Sequence, residues 1–518
     1  MVNPFPSLFV EAVMHSESNK QILQRLHEKD KLARWFSVQM DEECPELWLY
    51  DRFIRLCDPG RTGNRDTENH YPTFVSFIGN TSAGKSTIVR AMLLLGLLNS
   101  PGDMGNNSIA EDLDLVREAK EGDRYMPVPR SGNIQHMTDP TTFGVHLYPD
   151  ENPTTGLVGR GVDLNAPHVI SSQVAQFPLL FADCEGFGAG TATTNAVKLT
   201  ERQEENESAE AGKPGIVKLP IIAPCYSKNS KNGIDLFYAR ILYAISDVVV
   251  FVTKNDQTIK VDLIRVLEWA STAVRKSYNQ PSRKTLIIVQ NMERVSSESG
   301  YSTETLERLY LRSFGDQKLW DDSPILKSFV EEHNLLVRPE LVIQDNDQLY
   351  DTLFQKIRCC YIPDKGLHRV APERAQEIFN HFKALRHQIT IAAAEEQILR
   401  SREFAQYNVP TISHILTQVF EHFRTSEDPL NFYLAARRDN PTPRNISQHI
   451  ANFLRLALEH TDETTVVIKD MIVDAASLMF LLYVRRTFSD REFIISSHFP
   501  FKSDLQSIRL EPLRYVRT

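Results

Sequence analysis

Short, almost wholly apolar runs recur along the chain, separated by longer stretches whose apolar residues fall at helical spacing. Residues 73–78 (TFVSFI), 174–182 leading into PLLFAD, 247–253 (DVVVFVT) and 284–290 (KTLIIVQ) have the length and branched or aromatic composition of buried strands. Residues 142–148 predict another strand, and 341–343 and 359–362 shorter ones. Between them, 88–98 is apolar on every side, which predicts a buried helix rather than a surface one. Residues 234–244 predict a helix, and 259–276 an amphipathic one with Ile264, Leu267 and Ala270 on one face. Further helices are predicted near 303–314, 323–333 and 348–357. Strands alternating with helices predict a mostly parallel α/β sheet with helices on both faces.

The two ends of the chain carry a different pattern. Ser18 to Gln21 (SNKQ) forms a capping box, followed by Ile22, Leu26, Trp35 and Phe36 at loosely helical spacing. Trp48, Tyr50, Phe53 and Leu56 suggest another helix, stopped near Pro59 and Gly60, so residues 1–70 are expected to be a helical preface. After Gly366 the pattern turns helical throughout. One long helix is predicted over 372–404, with Ile378, Phe382, Leu385, Ile389 and Ile398 on its inner face, and others at 411–424, 445–459 and 465–486. The α/β part therefore runs over 71–366, followed by a helical region at 367–518 that is open to continuing further. Residues 99–140, rich in Gly, Pro, Asn and Asp, and 188–232, with the polar stretch ERQEENESAEAG, are expected to be long insertions, the second a solvated mobile loop.

Bulk properties narrow the function classes. A length of 518 residues suggests on the order of two to four domains. A net charge of −9 argues against binding nucleic acid through a general basic surface. The six cysteines show neither CxxC nor Cys/His ligand spacing, so reduced thiols in the cytoplasm fit better than zinc or a disulfide framework. The start, MVNPFPSLFVEAV, lacks the basic region of a signal peptide. The longest apolar runs, near 90–98 and 476–484, fall short of the roughly 20 residues that span a bilayer, so no membrane anchor is expected.

The chemistry is concentrated after the first strand. Gly79-Asn80-Thr81-Ser82-Ala83-Gly84-Lys85-Ser86 fits GxxxxGK[ST] at each fixed position, with a predicted strand before it and a helix after it. The glycines let backbone N–H groups turn inward, and the new helix aims its positive end at an anion. Lys85 would neutralise the β- and γ-phosphates of a nucleoside triphosphate, and the Ser86 hydroxyl would ligate Mg²⁺. Asp183-Cys184-Glu185-Gly186 ends a predicted buried strand. Its carboxylate can hold Mg²⁺ through a water, and the Gly186 N–H can meet the γ-phosphate. Thr142 lies between the two and can complete the magnesium shell, with Thr141 as its alternative. For the base, Thr253-Lys254-Asn255-Asp256 matches [NT]KxD literally but follows the wrong strand. The equivalent place one strand later holds Gln290-Asn291-Met292-Glu293, so Gln290 and Asn291 are the expected base contacts. No aspartate stands three residues after Asn291, which leaves guanine or adenine open.

These elements together resemble the large GTPases of the dynamin superfamily, nearest in layout to the guanylate-binding-protein and atlastin branch. GNTSAGKST (residues 79–87, including Thr87) resembles the dynamin form of the loop, Thr142-Phe143-Gly144-Val145 the TxGI segment, and CCYIPDKG (359–366) the end of the G domain. The resemblance implies a P-loop G domain binding GTP and Mg²⁺. Ser82 would position a charge-compensating cation, Thr81 replaces the usual glutamine, and backbone groups with Thr142 would hold the attacking water. Lys85, Ser82, Thr142 and Gly186 are thus the expected catalytic set, and Ser86, Thr142 and Asp183 the metal set. The loop arginine finger of the guanylate-binding branch is absent, since Ser82 occupies its place; Arg130 or Arg160 could substitute in cis or across a dimer. Phe187, not glutamine, follows the DxxG segment. Nucleotide-dependent homodimerisation is implied, with the C-terminal helices meeting an unidentified protein partner. A regulatory module with little turnover and an ATP-preferring enzyme are the alternatives.

Overall fold

A computed structural model describes residues 5–14, 29–40, 45–57, 70–98, 126–127, 144–150, 178–187, 216–224, 231–254, 259–273, 283–293, 303–315, 317–336, 342–364, 370–402, 407–430 and 452. In chain order the elements are α1 (Phe5–Met14), β1 (Arg34–Met40), β2 (Pro45–Leu49), α2 (Arg52–Leu56), β3 (Thr73–Gly79), α3 (Lys85–Leu98), β4 (Val145–Pro149), β5 (Leu179–Cys184), β6 (Val217–Pro220) and α4 (Lys231–Ile245). They continue with β7 (Val248–Thr253), α5 (Ile259–Ala273), β8 (Lys284–Glu293), α6 (Thr303–Glu307), α7 (Pro324–Leu336), α8 (Asn346–Leu353), β9 (Phe354–Pro363), α9 (Pro372–Arg402) and α10 (Val409–Thr425). By internal contacts the chain divides into a unit of Met1–Val274 with Ser282–Pro429, which holds every named element, and a unit of Arg275–Pro281 with Leu430–Thr518. The helices expected at 445–459 and 465–486 lie outside the described residues apart from position 452.

Among the described residues the strands form one sheet in the order β6-β2-β1-β4-β5-β3-β7-β8-β9. β5, β3, β7, β8 and β9 are mutually parallel, and β4, β1, β2 and β6 extend that core by antiparallel pairing. The inner parallel strands β3, β5 and β7 are buried at every position and largely apolar because both of their faces are covered. Alternate residues Val75 and Phe77, Val248, Val250 and Val252, and Ile287 and Val289 share one core with Leu93, Leu94, Phe382 and Ile389 from α3 and α9. Phe9 of α1 closes that layer edge-on against Phe379 and Phe382. On the other face Phe251 meets Trp269 of α5, and Trp35 stacks on Phe74 at 5.5 Å between centroids. α10 buries Ile412, Ile415, Val419 and Phe423, and its Phe420 rests on Trp35 and Phe36.

Several expectations are corrected. Residues 1–70 are not a helical preface throughout. Trp35, Phe36 and Trp48 lie on the antiparallel pair β1 and β2, in the register Phe36↔Leu49 and Ser37↔Trp48. Their aromatic side chains suit a pleated, covered surface better than a helix, and tertiary pairing decides. Residues 217–220, expected inside a mobile insertion, form the edge strand β6. The helix expected at 348–357 is α8, ended at Leu353 because β9 begins at Phe354 and pairs with Lys284. The strand expected at 341–343 is absent at 342–343, where the Asn334 amide side chain bonds both Ile343 N–H and its carbonyl. No described helix is long and apolar enough to cross a membrane.

Candidate functional site

β3 sits between β5 on one side and β7 on the other, so the chain leaves β3 toward one edge and later crosses to the opposite side. Such a reversal opens a crevice at the carboxyl ends of the strands, the usual ligand position in an open α/β sheet. The GNTSAGKS loop starts there. A Cβ on Gly79 (φ 146°) would collide with the carbonyl of Val252 on β7, so the loop's first residue can only be glycine. Ser82 holds φ 61°, the left-handed region that costs an L-residue roughly 1–2 kcal/mol, and it alone of the described non-glycine residues does so.

Lys85 is the first residue of α3 and is buried. Its Nζ folds back over the loop and donates to the carbonyls of Gly79 at 3.1 Å and Asn80 at 3.0 Å. Burial lowers its pKa, while the negative charges of Asp183, Glu185 and Asp235 act to raise it. Asp183, at the end of β5, is buried, and burial pushes its carboxyl up to about 6. A hydrogen bond with the Ser86 side chain and the charge of Lys85 oppose that rise. Across the sheet Asp183 is paired with His146 of β4. The Nδ1 of His146 meets Asp30 at 3.3 Å, and Asp30 also accepts from the Tyr148 hydroxyl. Ser86 and Asp183 thus form a hydroxyl–carboxylate pair beside a buried ammonium. This is an all-oxygen donor set that fits Mg²⁺, a hard cation.

The segment after β5 is laid along the loop. Thr81 N–H donates to the Phe187 carbonyl at 2.9 Å, Phe187 N–H to the Gly79 carbonyl at 3.1 Å, and the Thr81 hydroxyl to the Gly186 carbonyl at 2.8 Å. A Cβ on Gly186 would run into the Thr81 backbone. The glycine is therefore required by close approach to the loop, whatever its N–H meets. Phe187 is buried, its ring 4.6 Å from that of Trp269.

Asn291, near the end of β8, is buried and its Nδ2 donates to the Ala83 carbonyl at 2.7 Å, tying the loop to the sheet. Gln290 is buried beside it, opposite Thr253 and Tyr361 in the ladder. Thr253, the first residue of the TKND match, donates its hydroxyl to Asp262 at 2.9 Å, while Asn255 and Asp256 lie outside the described residues. Asp262 in turn accepts from the Asn80 amide at 3.4 Å, and Arg265 donates to Asn80 Oδ1 at 3.0 Å. Asp262 and Arg265 were not foreseen; the only sequence signal was an acidic residue in the first turn of α5. Gly79 through Thr87, Asp183, Gly186 and Asn291 are thus brought to one place. Thr142, Thr141, Arg130 and Arg160 lie outside the described residues.

Fold and site together define a mixed α/β protein with a glycine-bounded loop at the reversal point of its sheet. No family model matches the chain, and no curated protein does. Among solved structures, one match is the signal recognition particle receptor SRb-GTP/SRX complex from Chaetomium thermophilum. It has a TM-score of 0.25 and 13% identity, over 60% of this chain and 99% of that one. Likeness at that level bears on neither the fold nor the chemistry of this chain.

Proposed function

We propose that the chain binds GTP with Mg²⁺ at residues 79–87 and hydrolyses it to GDP and phosphate. The observation that carries this reading is the Lys85 ammonium, bonded across the loop carbonyls beside the Ser86–Asp183 pair. The N–H groups at the start of α3 would cradle the phosphates, and Lys85 would exchange its carbonyl partners for phosphate oxygens. Ser86 would ligate the metal and Asp183 would hold it through water, with Thr142 completing the shell. Bound Mg²⁺ neutralises charge on the β- and γ-phosphates. Asn291 would contact the base from its anchorage on Ala83. Ser82, in its left-handed conformation, stands where the dynamin-like resemblance puts a residue that positions a compensating cation. In this reading the nucleotide domain spans 71–366, with 1–70 lending it two strands and 367–518 contributing helices. Homodimerisation through this domain, a partner for those helices and a cytoplasmic setting come from the resemblance and the composition.

One observation favours a second reading, a nucleotide-binding regulatory module with slow turnover. Phe187 occupies the place after DxxG and is buried against Trp269, so it offers nothing to an attacking water. GTP hydrolysis by the full chain, measured over a range of protein concentrations with Lys85→Ala as the blank, tests both. Lys85-dependent phosphate release with a rate per molecule that rises with concentration is expected for a dimer-linked GTPase. Lys85-dependent GTP binding without release would favour the regulatory module, and tighter binding of ATP than GTP would overturn the guanine assignment.

A further inference from the structure

The carboxyl ends of β7, β8 and β9 lie side by side next to the loop, because β7 pairs with β8 and β8 with β9, all in parallel. The polar residues at those ends include Lys254 just after β7, Asn291 and Glu293 within the end of β8, and Asp364 just after β9. Asn291 is fixed by its bond to Ala83, and its Oδ1 is buried with no hydrogen-bond partner among the described residues. An orphaned amide oxygen in the interior is costly, so a ligand N–H that reached it would be favoured.

Asp364 enters through the register. Asn291 is paired with Ile362, and Glu293 with Pro363, the residue immediately before Asp364. Counted from Asn291, the place three residues on, where an [NT]KxD sequence carries its aspartate, is Arg294, just beyond β8, whose last residue is Glu293. A carboxylate is present one strand over, beyond the same end of the sheet. Its backbone is held: Arg374 of α9 donates to the Asp364 carbonyl from Nε at 3.3 Å and Nη2 at 3.0 Å, and pairs with Glu377 at 2.7 Å. Its charge lies near that of Lys254, whose pKa burial lowers and Asp364 acts to raise.

We propose, resting on the guanine-nucleotide reading above, that the base is read by a split site: Asn291 from β8 and the Asp364 carboxylate from the end of β9. An ionised carboxylate only accepts, and guanine presents two donors on one edge, N1–H and the 2-amino group. Adenine presents neither. Asp364 is therefore the specificity-determining residue, and the missing aspartate after Asn291 is replaced from a neighbouring strand rather than lost.

The test is displacement of a fluorescent GTP analogue from the full chain by GTP, ATP, inosine triphosphate and xanthosine triphosphate. It is run for the natural protein, Asp364→Asn and Lys85→Ala, with melting temperatures measured in parallel. In the natural protein GTP is expected to bind at least tenfold tighter than inosine triphosphate, which lacks only the 2-amino group. Asp364→Asn is expected to lose at least tenfold for GTP and to gain for xanthosine triphosphate, whose C2 oxygen can accept from the new amide. Equal affinity of the natural protein for GTP and inosine triphosphate overturns the split site even if the variant fails to fold. So does a folded Asp364→Asn with an unchanged preference, or one that loses GTP without gaining xanthosine triphosphate. Absence of any Lys85-dependent binding would instead overturn the nucleotide reading itself, and the split site with it.

Discussion

The Thr81 hydroxyl donates to the Gly186 carbonyl at 2.8 Å, 105 residues away in sequence, and this bond is one of four that zip the DxxG segment to the loop. The isolated parallel bridge between Asn80 and Phe187 is the backbone part of the same junction. The loop and the DxxG segment are thus in direct contact. A γ-phosphate that recruits the Gly186 N–H would have to work within this junction.

The junction has a mutational signature. Gly186→Ala puts a methyl group into the Thr81 backbone, and neither side is a flexible side-chain end that can give way. We expect a loss of about 1–3 kcal/mol in denaturant unfolding, the usual penalty for overpacking. Thr81→Ala removes one hydroxyl, shared between the Gly186 and Phe187 carbonyls, and leaves no clash, so about 1 kcal/mol is expected. Equal losses in the two variants would mean that the close approach is not maintained in solution.

Phe187 gives a second prediction. Its side chain is buried against Trp269, so changing it to glutamine does not create a water-positioning group; it buries an amide in an aromatic cluster. Phe187→Gln is expected to be less stable than the natural protein and no faster in GTP hydrolysis, and Phe187→Ala to lose about 3–5 kcal/mol. Tryptophan emission, to which Trp269 contributes as one of four tryptophans, should shift in both. Faster hydrolysis by Phe187→Gln would show that residue 187 reaches the nucleotide.

How much of this was readable beforehand follows from what each residue needs. The runs that became β3, β5, β7 and β8 were legible because strands covered on both faces are mostly apolar and β-branched or aromatic along their length. The loop was legible because its glycines, lysine and serine are fixed by local geometry. β1 and β2 were not, since a few aromatic residues fit either period and only their partners choose; β1 finds β4 more than a hundred residues away, as Arg34↔His146. The roles of Asn291 on Ala83 and of Asp364 beside β8 were hidden for the same reason. Both are juxtapositions across parallel strands, and no local spacing encodes them.

At the amino ends of the same strands lies a buried charge cluster. Asp247 accepts the Phe74 N–H at 2.8 Å and pairs with Arg400 of α9 at 2.5 Å, while Glu396 and Lys284 are buried close by. Removing one member of a buried pair leaves the other's charge uncompensated. Arg400→Met is therefore expected to cost about 3–5 kcal/mol. Arg400→Met combined with Asp247→Asn should recover part of that loss, because the second change removes the stranded carboxylate. Denaturant unfolding of the single and double variants measures the coupling, and strict additivity would show that the pair does not hold α9 to the sheet.

Lys284 makes the same cluster sensitive to alkali. Burial, and then the Arg400 charge, push its pKa down from the ordinary lysine value to about 8, against the pull of Asp247 and Glu396. The unfolded chain keeps an ordinary lysine, so between about pH 8 and the ordinary value it binds more protons than the folded protein does. Stability from this site therefore rises with pH across that window, and at neutral pH the buried ammonium is a cost, on the order of 3 kcal/mol. Lys284→Met removes that titration. Its stability is expected to match or exceed that of the natural protein near pH 7, and the natural protein should gain on it steadily as pH rises through 8 toward 10. Unfolding free energies of the two proteins at pH 7, 8.5 and 10 read this difference directly. A gap that stayed constant, or that moved in favour of the variant at high pH, would mean that Lys284 keeps an ordinary pKa in the folded protein.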